Sequence, residues 1–258
     1  MHSLENKLAV ITGGTAGIGL AIARNFLACG ARVVISSRSD HESVAETIGA
    51  TYIAADVADP ETVSALFQDV ADQFGKIDIV VNNAGIALDL SGVESTDIKD
   101  MKRIMEINTF GTWYAMKFAP QHMNDNGSII NTGSVAGSGT TSAGNAEYSM
   151  SKAAVAYLTR TSAIELGARG IRVNAVCPAL IAGTGMMTED DGGPAARFCS
   201  ALTALGRMGS LDEVVGIYNF LASDTSAFIT GQEIRVDGGL TAGRPDTISD
   251  AIAKSLEI

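Results

Sequence analysis

The sequence predicts an α/β fold, a doubly wound seven-stranded parallel sheet with helices on both faces. Short runs of β-branched residues alternate with longer helical stretches along the chain. Most of these runs are continuously apolar, which strands covered by helices on both faces require. The composition, with 28 glycines and 5% aromatic residues, is typical of tightly wound α/β layers. The predicted strands are Leu8–Thr12, Arg32–Ser36, 51–54, Ile77–Asn82, 128–132, 171–176 and Glu233–Val236.

Helices are predicted between these strands at 17–29, Pro60–Phe74, 95–123, 146–168 and Leu211–Ala222. Asp59 precedes Pro60 and is expected to cap its helix, with proline at the first helical position. The stretch 182–209 is interrupted by glycines and Pro194, which predicts a mobile excursion above the sheet. We expect a single domain over 1–258 that ends in a tail at about 240–258.

The charge and cysteine content exclude several classes of partner. The formal net charge is −11, so neither nucleic acid nor an anionic membrane is an expected partner. The polar amino terminus leads directly into the first strand, and no secretory or membrane-spanning segment is expected. Cys29, Cys177 and Cys199 are widely spaced and lack a metal-ligand pattern, which favours reduced thiols, no metal site and a cytoplasmic location.

A glycine-rich turn follows the first strand. It reads Thr12-Gly13-Gly14-Thr15-Ala16-Gly17-Ile18-Gly19 and leads into the first helix. Glycines let the backbone approach a diphosphate, whose charge the helix N-terminus favours. An ordinary strand-to-helix turn is the alternative, but the position after the first strand of a βαβ unit favours a Rossmann-like dinucleotide site.

The end of the second strand bears on which dinucleotide binds. An acidic side chain there would bind a free ribose, whereas a cation would bind a 2′-phosphate. Ser37 and Arg38 occupy this position, and a guanidinium is well shaped for bidentate phosphate binding. NADP(H) is therefore favoured, with NAD(H) as the alternative.

Three polar residues suit hydride transfer to a carbonyl, which needs a proton donor at the substrate oxygen. Tyr148 is the candidate donor. Lys152 lies one helical turn later, where its charge is expected to lower the tyrosine pKa from about 10. Ser134 follows the fifth strand and is placed to polarise the substrate oxygen. Singly, each residue has a simpler explanation in accidental spacing or a serine-rich loop, but together they favour catalysis.

The same motifs, in order along nearly the whole chain, resemble the short-chain dehydrogenase/reductase family in its single-domain form of roughly 250 residues. They include the glycine turn, Asn82-Asn83-Ala84-Gly85, Ser134 and Tyr148-Ser149-Met150-Ser151-Lys152. Others are Asp56-Val57, Asn108, Arg172-Val173-Asn174 leading to Pro178, and Val236-Asp237-Gly238-Gly239.

The resemblance implies a short-chain alcohol dehydrogenase or ketoreductase, an oxidoreductase that forms homotetramers. It implies that Tyr148 is the acid/base and that Asn108 holds a water relaying protons to Lys152. It also implies cofactor contacts from Gly13, Thr15, Gly17, Ile18 and Gly19 at the diphosphate, Ser37 and Arg38 at the ribose, Asp56 and Val57 at the adenine, and Asn83, Gly85, Tyr148, Lys152, Ile181 and Thr184 in the rest of the pocket.

This sequence departs from the family pattern at three places. Ala179 follows Pro178 where the family usually has glycine, Thr184 lies one position later than the usual hydroxyl, and residue 16 is alanine where some NADP-preferring relatives have a basic residue.

The excursion is expected to cover a small, moderately hydrophobic ketone or secondary alcohol. Met186, Met187, Phe198 and Leu202 are the candidate apolar wall, and a packed surface helix is the alternative. A non-catalytic dinucleotide-binding regulator is the main alternative function, and a nucleotide-sugar epimerase or dehydratase is a second. No histidine is placed to activate a serine, which argues against a hydrolase.

Overall fold

A computed structural model describes residues 2–39, 41–88, 91–185 and 193–246. These residues form seven strands in one parallel sheet with the order β3-β2-β1-β4-β5-β6-β7. The strands are β1 (Leu8–Thr12), β2 (Arg32–Ser36), β3 (Thr51–Tyr52), β4 (Ile77–Asn82), β5 (Met123–Thr132), β6 (Arg172–Pro178) and β7 (Glu233–Val236). The predicted fold class is therefore confirmed.

Nine α-helices connect and cover the strands of this described part of the chain. They are α1 (Gly17–Ala28), α2 (Glu42–Ile48), α3 (Pro60–Phe74), α4 (Ile98–Ile104), α5 (Gly111–Phe118), α6 (Val135–Ser138), α7 (Ala146–Leu166), α8 (Pro194–Leu202) and α9 (Leu211–Ala222). The α3 cap is as predicted, because the Asp59 side chain accepts a hydrogen bond from the Glu61 amide.

The alternation of side chains along the strands builds two cores, one on each face of the sheet. In β1, Ala9 and Ile11 face α1 and α9. Leu8 and Val10, one residue out of phase, face α3, α5 and α7. Because successive side chains point to opposite faces, continuous apolar strands are buried on both sides. Each fully buried Phe or Ile contributes roughly 1.5–3 kcal/mol to folding.

Three strands have boundaries that differ from the prediction, and one of them is β6, which runs from Arg172 to Pro178 rather than over 171–176. β3 ends at Tyr52 rather than at residue 54 and pairs only with β2, since it lies at the edge of the sheet. β5 begins at Met123, whose partner is Ile77, and it includes polar residues before the apolar run at 128–132. The end of β3 and the start of β5 are set by pairing with a neighbouring strand, which the apolar pattern of the sequence does not show.

The helix predicted at 95–123 is not continuous. α4 starts after Asp97, whose side chain caps the Lys99 amide, and it passes into a π-helical segment at Met105–Phe110 before α5. A 3₁₀ turn at Ala119–His122, with Pro120 inside it, ends the run. α2, α6 and α8 are additional helices, and α8 lies inside the predicted excursion.

The excursion is described at 182–185 and 193–209. Its two ends are tied together, because Ile181 forms a parallel bridge with Gly209. Phe198 on α8 is 67% exposed, whereas Met186 and Met187 lie outside the described residues, as does the tail beyond Asp246. None of the helices formed by the described residues is both long enough and apolar enough to span a membrane.

Candidate active site

The carboxyl ends of β1, β4 and β5 bring three polar segments to one edge of the sheet. β1 is paired with β4, β4 with β5, and β5 with β6. The glycine turn follows β1, the Asn82–Gly85 segment ends β4, and Ser134 follows β5. Open α/β sheets bind ligands at this edge. The parallel topology therefore gathers motifs that are far apart in sequence.

Lys152 lies on α7 with its side chain almost completely buried. Its Nζ donates a hydrogen bond of 2.8 Å to the carbonyl oxygen of Thr132, at the end of β5. The same Nζ lies 5.9 Å from the centroid of the Tyr148 ring. Burial lowers the lysine pKa to about 8, because the charged form has lost water. The lysine therefore faces the tyrosine from a fixed position.

Tyr148 is half-buried beside Ser134, and the two side chains are hydrogen-bonded. Burial raises the tyrosine pKa above its ordinary value of 10, and the bond to Ser134 lowers it by a smaller amount. We expected Lys152 to lower this pKa, but loss of hydration is the largest effect here. Loss of hydration destabilises the Tyr148 phenolate and so raises the tyrosine pKa. The Lys152 ammonium is itself desolvated and lies 5.9 Å from the ring centroid, so its attraction for the phenolate is the smaller effect.

Ser134 is held at the start of α6. Its Oγ accepts a hydrogen bond of 3.2 Å from the Ala136 amide and so caps this short helix. The thiol of Cys177 lies underneath, hydrogen-bonded to the Ser138 side chain and the Ser134 backbone, and burial raises its pKa. The serine hydroxyl is thus fixed at the pocket edge next to the tyrosine.

Asn108 lies inside the π-helical segment and is buried. Its Oδ1 accepts from the Ile86 amide at 2.8 Å, and its Nδ2 donates to the Ile86 carbonyl at 2.9 Å and to the Ser151 hydroxyl at 3.1 Å. π-Helical turns are frequent at functional sites. The π-helical segment thus occurs at the position where the Asn108 side chain bonds the backbone of Ile86, which follows β4.

Gly85 lies in the narrow space between Asn108 and Lys152. A Cβ at this position would be 3.2 Å from the Asn108 Oδ1 and 3.3 Å from the Lys152 Nζ. A larger residue would push these two polar groups apart. Asn108, Lys152, Tyr148 and Ser134 therefore form one continuous series of neighbours.

The glycine turn is held by backbone contacts and by Asn83. The Gly13 amide donates to the Ser36 carbonyl at 2.7 Å, and the Asn83 Nδ2 donates to the carbonyls of Thr12 and Gly13 at 3.2 and 3.1 Å. A Cβ at Gly19 would lie 2.2 Å from the Gly13 oxygen. Gly13 and Gly17 have φ values of +65° and +50°, in the left-handed region that favours glycine.

The residues present fit a dinucleotide at this turn. Ala16 precedes α1 and provides no side-chain cap, so the first amides of α1 are available to a diphosphate. The Ser36 Oγ is buried with no hydrogen-bond partner among the described residues. Thr15 lies in the same turn, and Ile18 lies in the first turn of α1.

Arg38 lies two residues after the end of β2, and its side chain is exposed. Within the described residues it makes no hydrogen bond or ion pair. Ser37 is engaged locally, donating from Oγ to the Ser39 carbonyl at 2.9 Å. The Asp56 carboxylate accepts from the Ala58 amide at 3.0 Å, and Val57 packs against Gly111. Ser37, Asp56 and Val57 thus contact other described residues, whereas the Arg38 guanidinium has no partner among them.

Ile181 and Thr184 lie above the glycine turn, on the segment after β6. The Thr184 hydroxyl donates to the Ile181 carbonyl at 3.1 Å. The Thr184 Cα lies 3.7 Å from a Cβ built on Gly17. The segment that carries these two residues therefore lies next to the glycine turn.

Thr132 and Tyr218 are site-supporting residues that sequence reasoning did not identify. Thr132 binds Lys152 through its carbonyl, and its hydroxyl lies 2.9 Å from the Tyr218 hydroxyl. No motif marks either position, because Tyr218 is part of an apolar helix face and Thr132 is an ordinary strand residue. Among the described residues, no three His, Cys, Asp or Glu side chains are grouped so that they could hold a metal ion.

Comparison with known proteins gives consistent matches over nearly the whole chain. A family model described as enoyl-(acyl carrier protein) reductase matches residues 13–241. The meso-2,3-butanediol dehydrogenase of Serratia marcescens is 38% identical over 252 residues, covering 95% of this chain and 99% of the relative. The NADP-dependent (R)-specific alcohol dehydrogenase of Lentilactobacillus kefiri is 36% identical over 251 residues, covering 93% and 98%.

A solved structure gives the same match in three dimensions. The short-chain dehydrogenase/reductase from Serratia marcescens BCRC 10948 superposes with a TM-score of 0.87 at 35% sequence identity. The superposition covers 93% of this chain and 100% of that one. The similarity therefore includes both the sheet and the elements around its carboxyl edge.

Proposed function

Because this chain belongs to the short-chain dehydrogenase/reductase family and is an oxidoreductase, we propose that it interconverts a ketone or aldehyde with the corresponding alcohol. Tyr148 is the acid/base, and NADP(H) is the preferred cofactor over NAD(H). One observation carries the proposal: Ser134, Tyr148 and Lys152 are neighbours at the sheet edge that also holds the glycine turn. The whole chain acts as a single domain.

In the reduction, the hydroxyls of Ser134 and Tyr148 bind the carbonyl oxygen of the substrate. A bound reduced nicotinamide supplies the hydride to the carbonyl carbon. Tyr148 transfers its Oη proton to the oxygen as negative charge develops there, and Ser134 stabilises the same oxygen by a hydrogen bond. The ammonium of Lys152 then faces a phenolate rather than a phenol, which favours proton loss by the tyrosine.

Reprotonation of Tyr148 requires a path from solvent. We propose that Asn108 holds a water next to Lys152 and that protons reach the tyrosine through this lysine. The approach of Asn108 and Lys152 across Gly85 supports this assignment. The low pKa of Lys152, about 8, also suits a group that gives up and regains a proton near neutral pH.

The preference for NADP(H) rests on Arg38. Its guanidinium is exposed at the end of β2 and has no partner among the described residues, so it is available to a 2′-phosphate. A relative that is 36% identical is an NADP-dependent alcohol dehydrogenase. NAD(H) remains the alternative because Ala16 adds no second cation.

The substrate is a moderately hydrophobic ketone or secondary alcohol. Phe198 and Leu202 on α8 provide apolar surface on the excursion after β6, which supports a role in covering the substrate. Two relatives act on butanediol and on a hydroxysteroid, by their names, which indicates that the family accepts secondary alcohols of different size.

We further propose a cytoplasmic homotetramer. Large apolar side chains are exposed on neighbouring helices that cover one face, namely Phe110, Trp113, Met150, Tyr157 and Ile164. Contact with other copies of the chain would bury them. Cys177 is a buried thiol outside any disulfide, which suits a reducing compartment. Light scattering on purified protein measures the mass, and a monomer contradicts the assembly.

A regulator that binds a dinucleotide without catalysis is not favoured. Such a protein needs the glycine turn but has no need for Ser134, Tyr148 and Lys152 in contact.

The deciding experiment is a substrate panel. Purified protein is assayed with ketones and aldehydes plus NADPH or NADH, and with secondary alcohols plus NADP⁺ or NAD⁺, by nicotinamide absorbance. We expect turnover of several ketones with NADPH. Binding of NADPH without turnover of any substrate would instead support the regulator.

A further inference from the structure

The hydroxyl of Tyr218 reaches the catalytic edge of the sheet from the opposite helical layer. Tyr218 lies on α9 and its side chain is fully buried. Its Oη is 2.9 Å from the Oγ1 of Thr132, the last residue of β5. Tyr218 belongs to an apolar core cluster together with Val214, Val215 and Leu221 of the same helix. A phenol at this place has a hydroxyl that packing alone does not need.

The Thr132 hydroxyl takes part in two hydrogen bonds, and their direction follows from its single proton. The Thr132 hydroxyl has one proton and lies 3.4 Å from the Asn83 Oδ1, which can only accept. Thr132 therefore donates to Asn83 and accepts from Tyr218. Burial raises the pKa of Tyr218, so the phenol keeps its proton and remains the donor.

The series continues from Asn83 into the glycine turn. The Asn83 Nδ2 donates to the carbonyls of Thr12 and Gly13, at 3.2 and 3.1 Å. A Cβ at Gly19 would lie 2.5 Å from this same Nδ2, so the amide lies between Thr12–Gly13 at the start of the turn and Gly19 on α1. The orientation of the Asn83 side chain thus helps to fix the shape of the turn.

Thr132 also holds the catalytic lysine. Its carbonyl oxygen accepts the 2.8 Å hydrogen bond from the Lys152 Nζ. One residue therefore faces the lysine through its backbone and the glycine turn through its side chain. Movement of Thr132 changes both contacts at once.

We propose that Tyr218 is a positioning residue that orients Thr132 and thereby fixes both the Lys152 ammonium and the Asn83 amide under the glycine turn. This inference rests on the proposed roles of Lys152 and the turn. Without the phenol hydroxyl, the Thr132 hydroxyl loses its donor and can rotate away from Asn83. The ring itself is replaceable by Phe in the apolar core between α9 and the sheet.

The test compares hydroxyl deletions along the series with a matched control. Tyr218→Phe removes the donor, Thr132→Val removes the link and Thr132→Ser keeps it. Ser128→Ala is the control, because the Ser128 Oγ donates to the Leu221 carbonyl at 2.8 Å and also joins β5 to α9, but Ser128 lies in the middle of β5, away from the end that holds Thr132. For each protein we would measure the NADPH dissociation constant by fluorescence, kcat as a function of pH, and the unfolding midpoint.

We expect Tyr218→Phe and Thr132→Val each to weaken NADPH binding and to lower kcat by about 3- to 10-fold, the range of one lost hydrogen bond. Both are also expected to move the alkaline limb of the pH profile. Thr132→Ser and Ser128→Ala are expected to stay within about 2-fold of wild type in both quantities, and combining Tyr218→Phe with Thr132→Val is expected to add less than about 2-fold.

The inference is overturned if Tyr218→Phe lowers the unfolding midpoint but changes NADPH binding, kcat and the pH profile no more than Ser128→Ala does. If Tyr218→Phe does not fold, equal NADPH binding and kcat in Thr132→Val and Thr132→Ser overturn it instead. Failure of the wild type to bind either NADPH or NADH is a different outcome, because it contradicts the proposed function as well.

Discussion

The buried ammonium of Lys152 lies 2.8 Å from the carbonyl oxygen of Thr132 and 5.9 Å from the centre of the Tyr148 ring. The lysine is thus anchored to the end of a central strand while its charge faces the candidate acid/base. A strand end is a rigid support, since β5 pairs with β4 and β6 on its two sides. The anchor fixes the distance over which the charge acts on the tyrosine.

Replacement of Tyr148 by Phe is expected to remove the proton donor and leave the fold intact. General acid catalysis contributes roughly 10²- to 10⁴-fold, so kcat with NADPH and a ketone is expected to fall by that factor. Tyr157→Phe is the matched control, because Tyr157 lies on the same helix and is 69% exposed. Activity of Tyr148→Phe close to that of Tyr157→Phe contradicts the role of Tyr148.

Lys152 gives the stability of the protein a defined pH dependence. Its pKa is about 8 in the folded chain and 10.5 ordinarily, so between these values the unfolded chain binds more protons and stability rises with pH. At about 1.4 kcal/mol per pKa unit, the gain is about 3 kcal/mol.

The comparison with Lys152→Met isolates this contribution. The unfolding free energy of wild type minus that of Lys152→Met is expected to increase from about pH 7.5 to about pH 10.5, measured by urea denaturation. The pKa values of Tyr148 and Cys177 are raised in the folded chain, so these two groups lower the stability as the pH rises. Both groups are present in wild type and in Lys152→Met. Lys99→Met changes an exposed lysine and serves as the control. A flat difference contradicts the buried charge.

Arg38→Ala tests the assignment of the 2′-phosphate. Loss of a charged hydrogen bond is expected to raise the KM for NADPH roughly 10- to 100-fold and to leave the KM for NADH nearly unchanged. Arg103→Ala, an exposed arginine on α4, is the control. An unaltered ratio of the two KM values removes Arg38 from cofactor selection.

Two helical glycines are expected to respond in opposite ways to alanine. A Cβ at Gly19 would lie 2.2 Å from the Gly13 oxygen, and relieving such a contact distorts the turn, so Gly19→Ala is expected to weaken NADPH binding by about 10-fold or more. No atom lies within 4 Å of a Cβ at Gly216 on α9. Gly216→Ala is therefore expected to retain binding and to raise the unfolding free energy by roughly 0.5–1 kcal/mol. Equal binding by both variants contradicts the tight turn.

Local patterns predicted the elements whose boundaries depend on local chemistry. β1, β2, β4 and β7 begin and end as expected, and so do α3 and α9. Continuous apolar runs and the cap at Asp59 are both readable from neighbouring residues. No local pattern predicted the π-helical segment between α4 and α5, where the Asn108 side chain bonds the backbone of Ile86, a residue distant in sequence.

By itself, the sequence determined the fold class, the family and the order of the residues expected at the site. Chemical identity and spacing along the chain carry that information: glycines after β1, Ser134 after β5, and Lys152 one helical turn beyond Tyr148. Only the tertiary structure decided how these groups act on one another. Burial set the direction of the Tyr148 and Lys152 pKa shifts, and the packing of α9 on β5 placed Tyr218 against Thr132. The physical reason is that desolvation and hydrogen bonds across the sheet depend on residues distant in sequence, which no local pattern encodes.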